Sequence, residues 1–404
     1  MGKKRDILFL CQFFYPEYIS SAQLPYDTVM ALSKAGFSVD VLCGYPREYL
    51  DGGQIPKTEQ LGDVTIRRLR YIQMDRSGFL GRLVNYFSFT MMVLLRLFTM
   101  GRYQAVVVYS NPPVLPWVAS WAKALFGTKL VFVAYDLYPE VATVTGTLRQ
   151  GNLICRLMEH INKCVYRRCD QVVSLSSEQQ AYILTHRPVA AEKVRVIPNW
   201  DPERPEPPLA HAPDKKGTFL VSYFGNMGTM QDMQTILDAI RHLKDRQDIA
   251  FLFAGHGNKM DQLRQVVQDE GLSQVQIVPF LHGEAFQQAL AASDCALVSL
   301  EKGATGLCVP SKTYCYMRHG IPLAAILDEC DIVRDIQAGA GLWVRSGEGS
   351  RLAQELAALA EEPQRRAAMA ETCRSLYTQR YSAQLGTEAY CELFRELLGP
   401  QERR

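Results

Sequence analysis

Short apolar runs closed by turn residues, each followed by a helical stretch, recur along the whole chain. In the first half they include "DILFLCQFFYP" (6–16), "SVDVLCG" (38–44), "VTIRRLRYI" (64–72), "AVVVYS" (105–110), "KLVFVAYD" (129–136), "QVVSLSS" (171–177) and "VRVIPN" (194–199). Most are nearly continuous in apolar residues, the mark of strands buried on both faces. Between such runs lie stretches of helical spacing, such as "MQTILDAIRHLKD" (233–245). Parallel neighbours cannot be joined by a tight turn, so the alternation predicts strand–helix–strand units and an α/β, doubly wound sheet.

The alternation is interrupted once. "NWDPERPEPPLAHAPDKKG" (199–217) is dense in proline and charge, and the pattern then restarts with "FLVSYFG" (219–225). We read the interruption as a linker. A chain of 404 residues is also too long for one ordinary core. Two Rossmann-like doubly wound domains facing a cleft are expected, over 1–200 and 201–380. Ligands of such sheets bind beyond the carboxyl ends of the strands. Those ends carry Ser110, Asn111, Asp136, Ser174, Ser176 and Asn199.

Charge and cysteine usage narrow the function classes. Residues 1–195 hold 23 of the 44 Lys+Arg and 15 of the 42 Asp+Glu, so the overall +2 hides a basic first half and an acidic second half. A basic half predicts an anionic partner. Its basic residues cluster at Lys3, Lys4 and Arg5 and at Arg67, Arg68, Arg70, Arg76 and Arg82. The 11 cysteines are odd in number and form no CxxC pair. Reduced, buried thiols of a cytosolic protein are expected, Cys11 and Cys43 among them. The 7 histidines form no HExxH-like cluster, so neither a metal nor another cofactor is expected. Asp6 interrupts the N-terminal apolar run and no small-residue cleavage site follows, so no secretory leader is expected. Residues 79–100, "FLGRLVNYFSFTMMVLLRLFTM", contain Arg82, Asn85 and Arg96 on one narrow helical face and are too polar to span a bilayer. Two readings stand for them: a helix packed on the sheet, or one lying in a membrane interface.

Four loops of the second half carry anion-binding chemistry. "GLCVPSKTYCYMRHGIP" (306–322) has Ser311 placed to cap a helix starting near Lys312. Free amides, the helix dipole and the lysine charge would then meet a phosphate together. "SYFGNMGTMQDM" sets Gly225, Asn226 and Gly228 between a strand and a helix. "FAGHGNKMDQL" does the same with Gly255, Gly257 and Lys259, and "VPFLHG" offers main chain around Phe280 to a flat base. A nucleotide diphosphate fits all four. Neither GxxxxGK[ST] nor a strand-borne GxGxxG is present, which excludes P-loop and ordinary dinucleotide binding.

The ordered set "FYPEYISSAQLPYDTVMALSKAGFSVDVLCGYP", "DLYPE" (136–140), "VIPNW" (196–200), "YFGNMG" (223–228), "FAGHG" (253–257), "VPSK" (309–312) and "HGIP" (319–322) covers nearly the whole chain. It resembles the GT-B glycosyltransferases of retaining family four (group 1), and within them the WbuB-like branch. The resemblance implies transfer of a sugar from a nucleotide-diphosphate sugar with retained anomeric configuration. It implies a saccharide acceptor, often linked to polyprenyl diphosphate at the inner membrane face, in bacterial surface polysaccharide synthesis. It also implies a C-terminal helix, 381–404, returning to the first domain. Nucleic acid is not an expected partner. The protein is expected in the cytoplasm, peripheral on the membrane.

The donor side is then expected at Asn226, Gly228, Gly255, Lys259, Phe280, Glu301, Gly306, Leu307, Ser311 and Cys315, with Lys312 steadying the departing diphosphate. Acceptor contacts are expected at Tyr15, Glu17, Ser20, Ser21 and Gln23, and Asp136 or Glu140 is placed to take the acceptor proton or bind its sugar. The chain departs from the family pattern at four positions. Leu307 and Cys315 stand where many relatives carry two glutamates, and Asn226 and Gln231 where they often carry arginine and lysine. Those losses also fit a catalytically silent binding subunit of the same fold, and a nucleotide-sugar epimerase of this fold is a further reading, although such enzymes usually carry more acidic and histidine residues in the cleft.

Overall fold

The computed structural model describes residues 4–46, 55–75, 78–202 and 217–399. Most of the expected linker lies outside them, as do Lys3 and Arg76 of the basic clusters. The chain divides into two compact units. Met1–Pro202, Gly306–Val309 and Ala383–Arg404 form the first; Glu203–Thr305 and Pro310–Ser382 form the second.

The first unit holds an eight-stranded sheet. Its strands are β1 (Arg5–Cys11), β2 (Val39–Gly44), β3 (Thr58–Leu61), β4 (Val64–Leu69), β5 (Tyr103–Tyr109), β6 (Lys129–Val133), β7 (Gln171–Ser174) and β8 (Val194–Val196). The order is β3-β4-β2-β1-β5-β6-β7-β8, and every pairing is parallel except β3 with β4. Strand order reverses between β1 and β5, so the loops after these two strands flank an open notch. Ile7, Phe9 and Cys11 pack with Leu24, Val29 and Leu32 of the helix Ser20–Lys34. The same core takes in Leu393 and Phe394 of the terminal helix Ala383–Leu398. That helix approaches closely because Gly386 has no side chain: a Cβ there would lie 2.2 Å from the Trp200 ring. Trp200 is held in turn by its indole N–H, which donates to Asp27 at 2.9 Å.

The helix Phe79–Leu94 has two apolar faces. Phe89 and Val93 are buried, whereas Leu80, Phe87 and Met91 are exposed. Asn85 does not share an outward polar face with Arg82 and Arg96, as its spacing predicts. It is buried and pairs with the Met74 backbone, accepting from its N–H at 2.7 Å and donating to its carbonyl at 2.9 Å. Arg68 is likewise no surface charge. It is 1% exposed and tied to Glu59, to the Tyr15 carbonyl and to the Pro56 carbonyl. Among the described residues no helix is long and apolar enough to cross a membrane.

The second unit holds β9 (Phe219–Asn226), β10 (Ile249–His256), β11 (Val275–Val278), β12 (Cys295–Ser299), β13 (Leu323–Ile326) and β14 (Gly341–Val344). All run parallel in the order β11-β10-β9-β12-β13-β14, which reverses between β9 and β12. Val221, Phe251, Leu297 and Ile326 meet Ile236, Ile240, Leu352 and Leu356 from the covering helices. Both sheets are therefore Rossmann-like α/β layers.

The Gly386–Trp200 contact leaves no space for a methyl group. Gly386→Ala should lower stability by about 1–3 kcal/mol, the usual range for overpacking. Thermal unfolding measures it, and a variant that melts with the wild type would show that the terminal helix is not seated on Trp200.

Candidate active site

Two groups of residues stand at the reversal points of the two sheets, one in each unit. In the second unit, the loops after β9 and β10 are locked together at backbone distance. Gly255 pairs with Gly225, and a Cβ on Gly255 would fall 1.9 Å from the Gly225 carbonyl oxygen. Gly257 has φ +134, and a Cβ there would meet the Met227 carbonyl oxygen at 2.4 Å. The Met227 N–H donates to the His256 carbonyl at 2.6 Å, and the Lys259 N–H to the Met227 carbonyl at 3.0 Å. The glycines at these strand ends thus allow two loops to share one space.

Several expected donor residues are already engaged within this frame. Lys259 Nζ lies 2.5 Å from Glu301 Oε1 and 2.6 Å from the Gln231 carbonyl. Its charge is balanced inside the loop cluster instead of standing free. The Gly228 amide donates to Gln231 Oε1 at 2.8 Å. The Glu301 N–H donates to the Met230 carbonyl at 2.8 Å, which joins the loop after β12 to the loop after β9 across the reversal. Asn226 is exposed at the end of β9. Phe280 is 36% exposed, with its ring centroid 5.8 Å from that of His256.

Lys312 is the cation at this reversal point that lacks a counter-charge among the described residues. Its Nζ is buried without a hydrogen-bond partner and sits 3.4 Å from the centroid of the Tyr223 ring on β9. Burial pushes its ammonium well below the ordinary lysine range. Tyr223 is itself fixed, its hydroxyl donating to the Asn226 carbonyl at 2.9 Å. Spacing within the sequence does not reveal this aromatic floor, because Tyr223 and Lys312 are 89 positions apart.

Ser311 does not cap the helix Lys312–Arg318. It has helical dihedrals itself, φ −59 and ψ −24, and its hydroxyl accepts nothing from the helix. The chain enters through a tight turn in which the Thr313 N–H donates to the Pro310 carbonyl at 3.1 Å, so the usual cap geometry never forms. Cys315 is half-buried, its Sγ 3.8 Å from His319 Nδ1. Gly306 and Leu307 cluster with the first unit. Leu307 is buried, and its carbonyl accepts from the Leu137 N–H at 2.9 Å.

In the first unit, Asp136 follows β6, and its backbone N–H donates to Ser110 Oγ at 3.0 Å, tying it to the end of β5. Burial pushes its carboxyl up to about 6. Tyr138 and Cys308 lie near enough to feel its charge, and Tyr86 and Arg82 act on Tyr138. Those neighbours come from three separate segments and carry no sequence signal as a set. Glu140 is committed elsewhere, to an ion pair with Arg187 at 2.6 Å. Tyr15 is 39% exposed and stacks on Tyr26 at 5.1 Å. Glu17 is buried beside Cys11 and Cys43. Ser20, Ser21 and Gln23 occupy the first turn of the helix Ser20–Lys34, with Ser20 exposed and the other two half-buried.

Residues 25–200 match the family model described as "Glycosyl transferase 4-like domain", and 210–375 match "Glycosyl transferases group 1". The chain belongs to the group 1, family 4 glycosyltransferases of the GT-B fold, and is a glycosyltransferase. It is 27% identical over 306 residues to "Probable glycosyltransferase WbjE" of Pseudomonas aeruginosa, covering 74% of this chain and 76% of that one. It is 25% identical over 322 residues to WcaI of Escherichia coli (strain K12), a candidate colanic acid biosynthesis glycosyl transferase, covering 74% and 77%. Among solved structures, Anabaena HepE in complex with UDP-glucose superposes with a TM-score of 0.67 at 18% identity, over 97% of this chain and 99% of that one.

A buried, depressed lysine that meets an anion should regain its proton. In the pH range between its depressed and its ordinary titration, binding of a nucleoside diphosphate should therefore take up protons, and Lys312→Met should abolish that uptake. Calorimetry in buffers of different ionisation enthalpy reads it. A wild-type binding enthalpy that is independent of buffer would rule out the assignment.

Proposed function

We propose that this chain is a retaining glycosyltransferase of the WbuB-like branch. It moves a sugar from a nucleotide-diphosphate sugar to a saccharide linked to polyprenyl diphosphate, in bacterial surface polysaccharide synthesis. The observation that carries the reading is Lys312: a buried cation at a sheet reversal, with an aromatic face below it and no counter-charge among the described residues. An unpaired buried charge is costly, and a bound diphosphate removes that cost. The UDP-glucose bound by HepE supports the donor class, and the colanic acid name of WcaI supports the pathway class.

In the proposed reaction the bond between the anomeric carbon and the diphosphate oxygen breaks, and the acceptor hydroxyl forms a new bond on the same face. The electron pair leaves with the diphosphate, whose growing charge Lys312 stabilises. The acceptor proton passes to Asp136, whose carboxyl titrates near 6 and so is ionised at neutral pH. The Glu140–Arg187 pair holds the segment that follows Asp136. No metal or other cofactor enters this scheme. Donor recognition without the glutamate pair falls to the frame around Lys259 and Glu301 and to the Phe280 ring. The acceptor's lipid carrier places the enzyme in the cytoplasm, on the inner membrane face. The exposed apolar residues of the helix Phe79–Leu94 are the contact.

Transfer from a panel of UDP-, GDP- and dTDP-sugars to a membrane extract tests the reading, and nuclear magnetic resonance of the product tests retention. No transfer from any donor favours the silent subunit, and free sugar formed without an acceptor favours the epimerase. Lys312→Ala should lower turnover by at least about 10²-fold. Wild-type activity should fall as pH drops through about 6, and Asp136→Asn should lose both most of the activity and that inflection. An unchanged pH profile in the variant would remove Asp136 from the proton path.

Met91 is 54% exposed, so Met91→Glu should fold normally and bind vesicles more weakly. Early melting of this variant would place the residue in a core, and undiminished flotation would take the helix off the membrane.

A further inference from the structure

The first unit carries a cavity of about 800 Å³ that the transfer reaction does not use. Its lining runs from Arg5 and Tyr103, at the amino ends of β1 and β5, across to Leu42 of β2 and Leu69 of β4, and does not include Asp136. Its wall presents Lys4, Arg5, Lys57, Arg67, Arg96 and Arg102. Asp40 is the carboxylate among the lining residues, and it is already committed. It is buried, lies 2.9 Å from Arg5 and 3.9 Å from Arg67, and accepts from the Tyr103 hydroxyl at 2.6 Å. Lys4, Lys57, Arg96 and Arg102 have no ion pair among the described residues. Like charges held around one concavity repel one another, and an entering anion relieves that repulsion. Guanidinium groups bind phosphate oxygens in pairs, which makes a phosphate the best-matched anion.

The remaining lining includes Leu8, Val41, Leu42 and Leu69. Flanking Arg96 in the chain, Leu95 and Phe98 are 69% and 80% exposed. Exposed apolar side chains beside a basic cavity suit a lipid and serve no purpose for a free inorganic anion. The geometry points to a binding site for the phosphate headgroup of an anionic lipid, with its apolar part running toward the exposed Leu95 next to Arg96. Only the source of the ligand rests on the membrane reading above; the cavity and its charge stand without it. The site gives the enzyme a saturable lipid contact in addition to apolar insertion.

Flotation of the full chain with phosphatidylcholine vesicles, with and without phosphatidylglycerol, tests the proposal. Phosphatidylglycerol should strengthen wild-type binding, and Arg96→Glu/Arg102→Glu should lower that gain at least about tenfold. The double variant should keep wild-type donor binding, and Arg102→Glu alone serves if the pair melts early. Arg149→Glu/Arg156→Glu, outside the cavity, is the control. Equal losses in both double variants would mean diffuse attraction and would overturn the site. Flotation that is indifferent to phosphatidylglycerol would also overturn it while leaving the apolar contact intact. If no vesicle is bound, the membrane reading fails separately. Titration with inorganic pyrophosphate in the Lys312→Ala background then decides: binding lost in Arg96→Glu/Arg102→Glu would replace the lipid with a free phosphate ligand, and no binding would remove the site.

Discussion

A parallel strand can be followed by its neighbour only after the chain has travelled back across the sheet. That requirement shapes both units. It forces a covering element between successive parallel strands, buries strands on both faces, and gathers the functional loops at one edge of each sheet. Where strand order reverses, adjacent loops part to opposite sides and leave room. Lys312 and the Lys259–Glu301 pair stand at the reversal of the second sheet, and Asp136 is tied through Ser110 to the strand end at the reversal of the first.

The same requirement explains what could be read from the chain. Strands buried on both faces must be apolar almost throughout, so runs such as "AVVVYS" and "IAFLFAG" declare themselves. β3 escaped notice because it lies on an edge, is half exposed and reads "TEQL". The loops rich in glycine were legible because close backbone approach at Gly255 and Gly257 tolerates no other residue. Side-chain partnerships were not. Nothing local in "KMDQL" says that Lys259 meets Glu301, nor in "DLYPE" that Glu140 meets Arg187. Arg68 looked like one more surface charge, and only the fold reveals it as a buried tie between the Tyr15 loop and the sheet edge. Ser311 failed as a cap because the turn from Pro310 sets its backbone before its hydroxyl can act.

Lys259 and Lys312 show how one loop cluster can use the same residue type in two ways. Lys259 has a carboxylate and a carbonyl in contact, so its charge is neutralised locally and its role is to hold the frame. Lys312 has an aromatic face and, among the described residues, no hydrogen-bond partner. An aromatic face contributes on the order of 1–2 kcal/mol to a desolvated cation, well short of the cost of burying it. The shortfall appears as the depressed ammonium of Lys312, maintained by the packing around Tyr223.

The terminal helix has a consequence for how the chain is made. Phe394 packs with Phe37, and the core that the terminal helix completes is otherwise formed by residues before 201. On the ribosome, synthesis runs from the N-terminus, so the first sheet emerges with one apolar flank uncovered. It remains so while the whole second unit is translated. Contacts this distant in sequence close slowly, and an apolar sheet face left open for that interval is a site for chaperones or for misassembly. The unit that begins first is thus the one that finishes last.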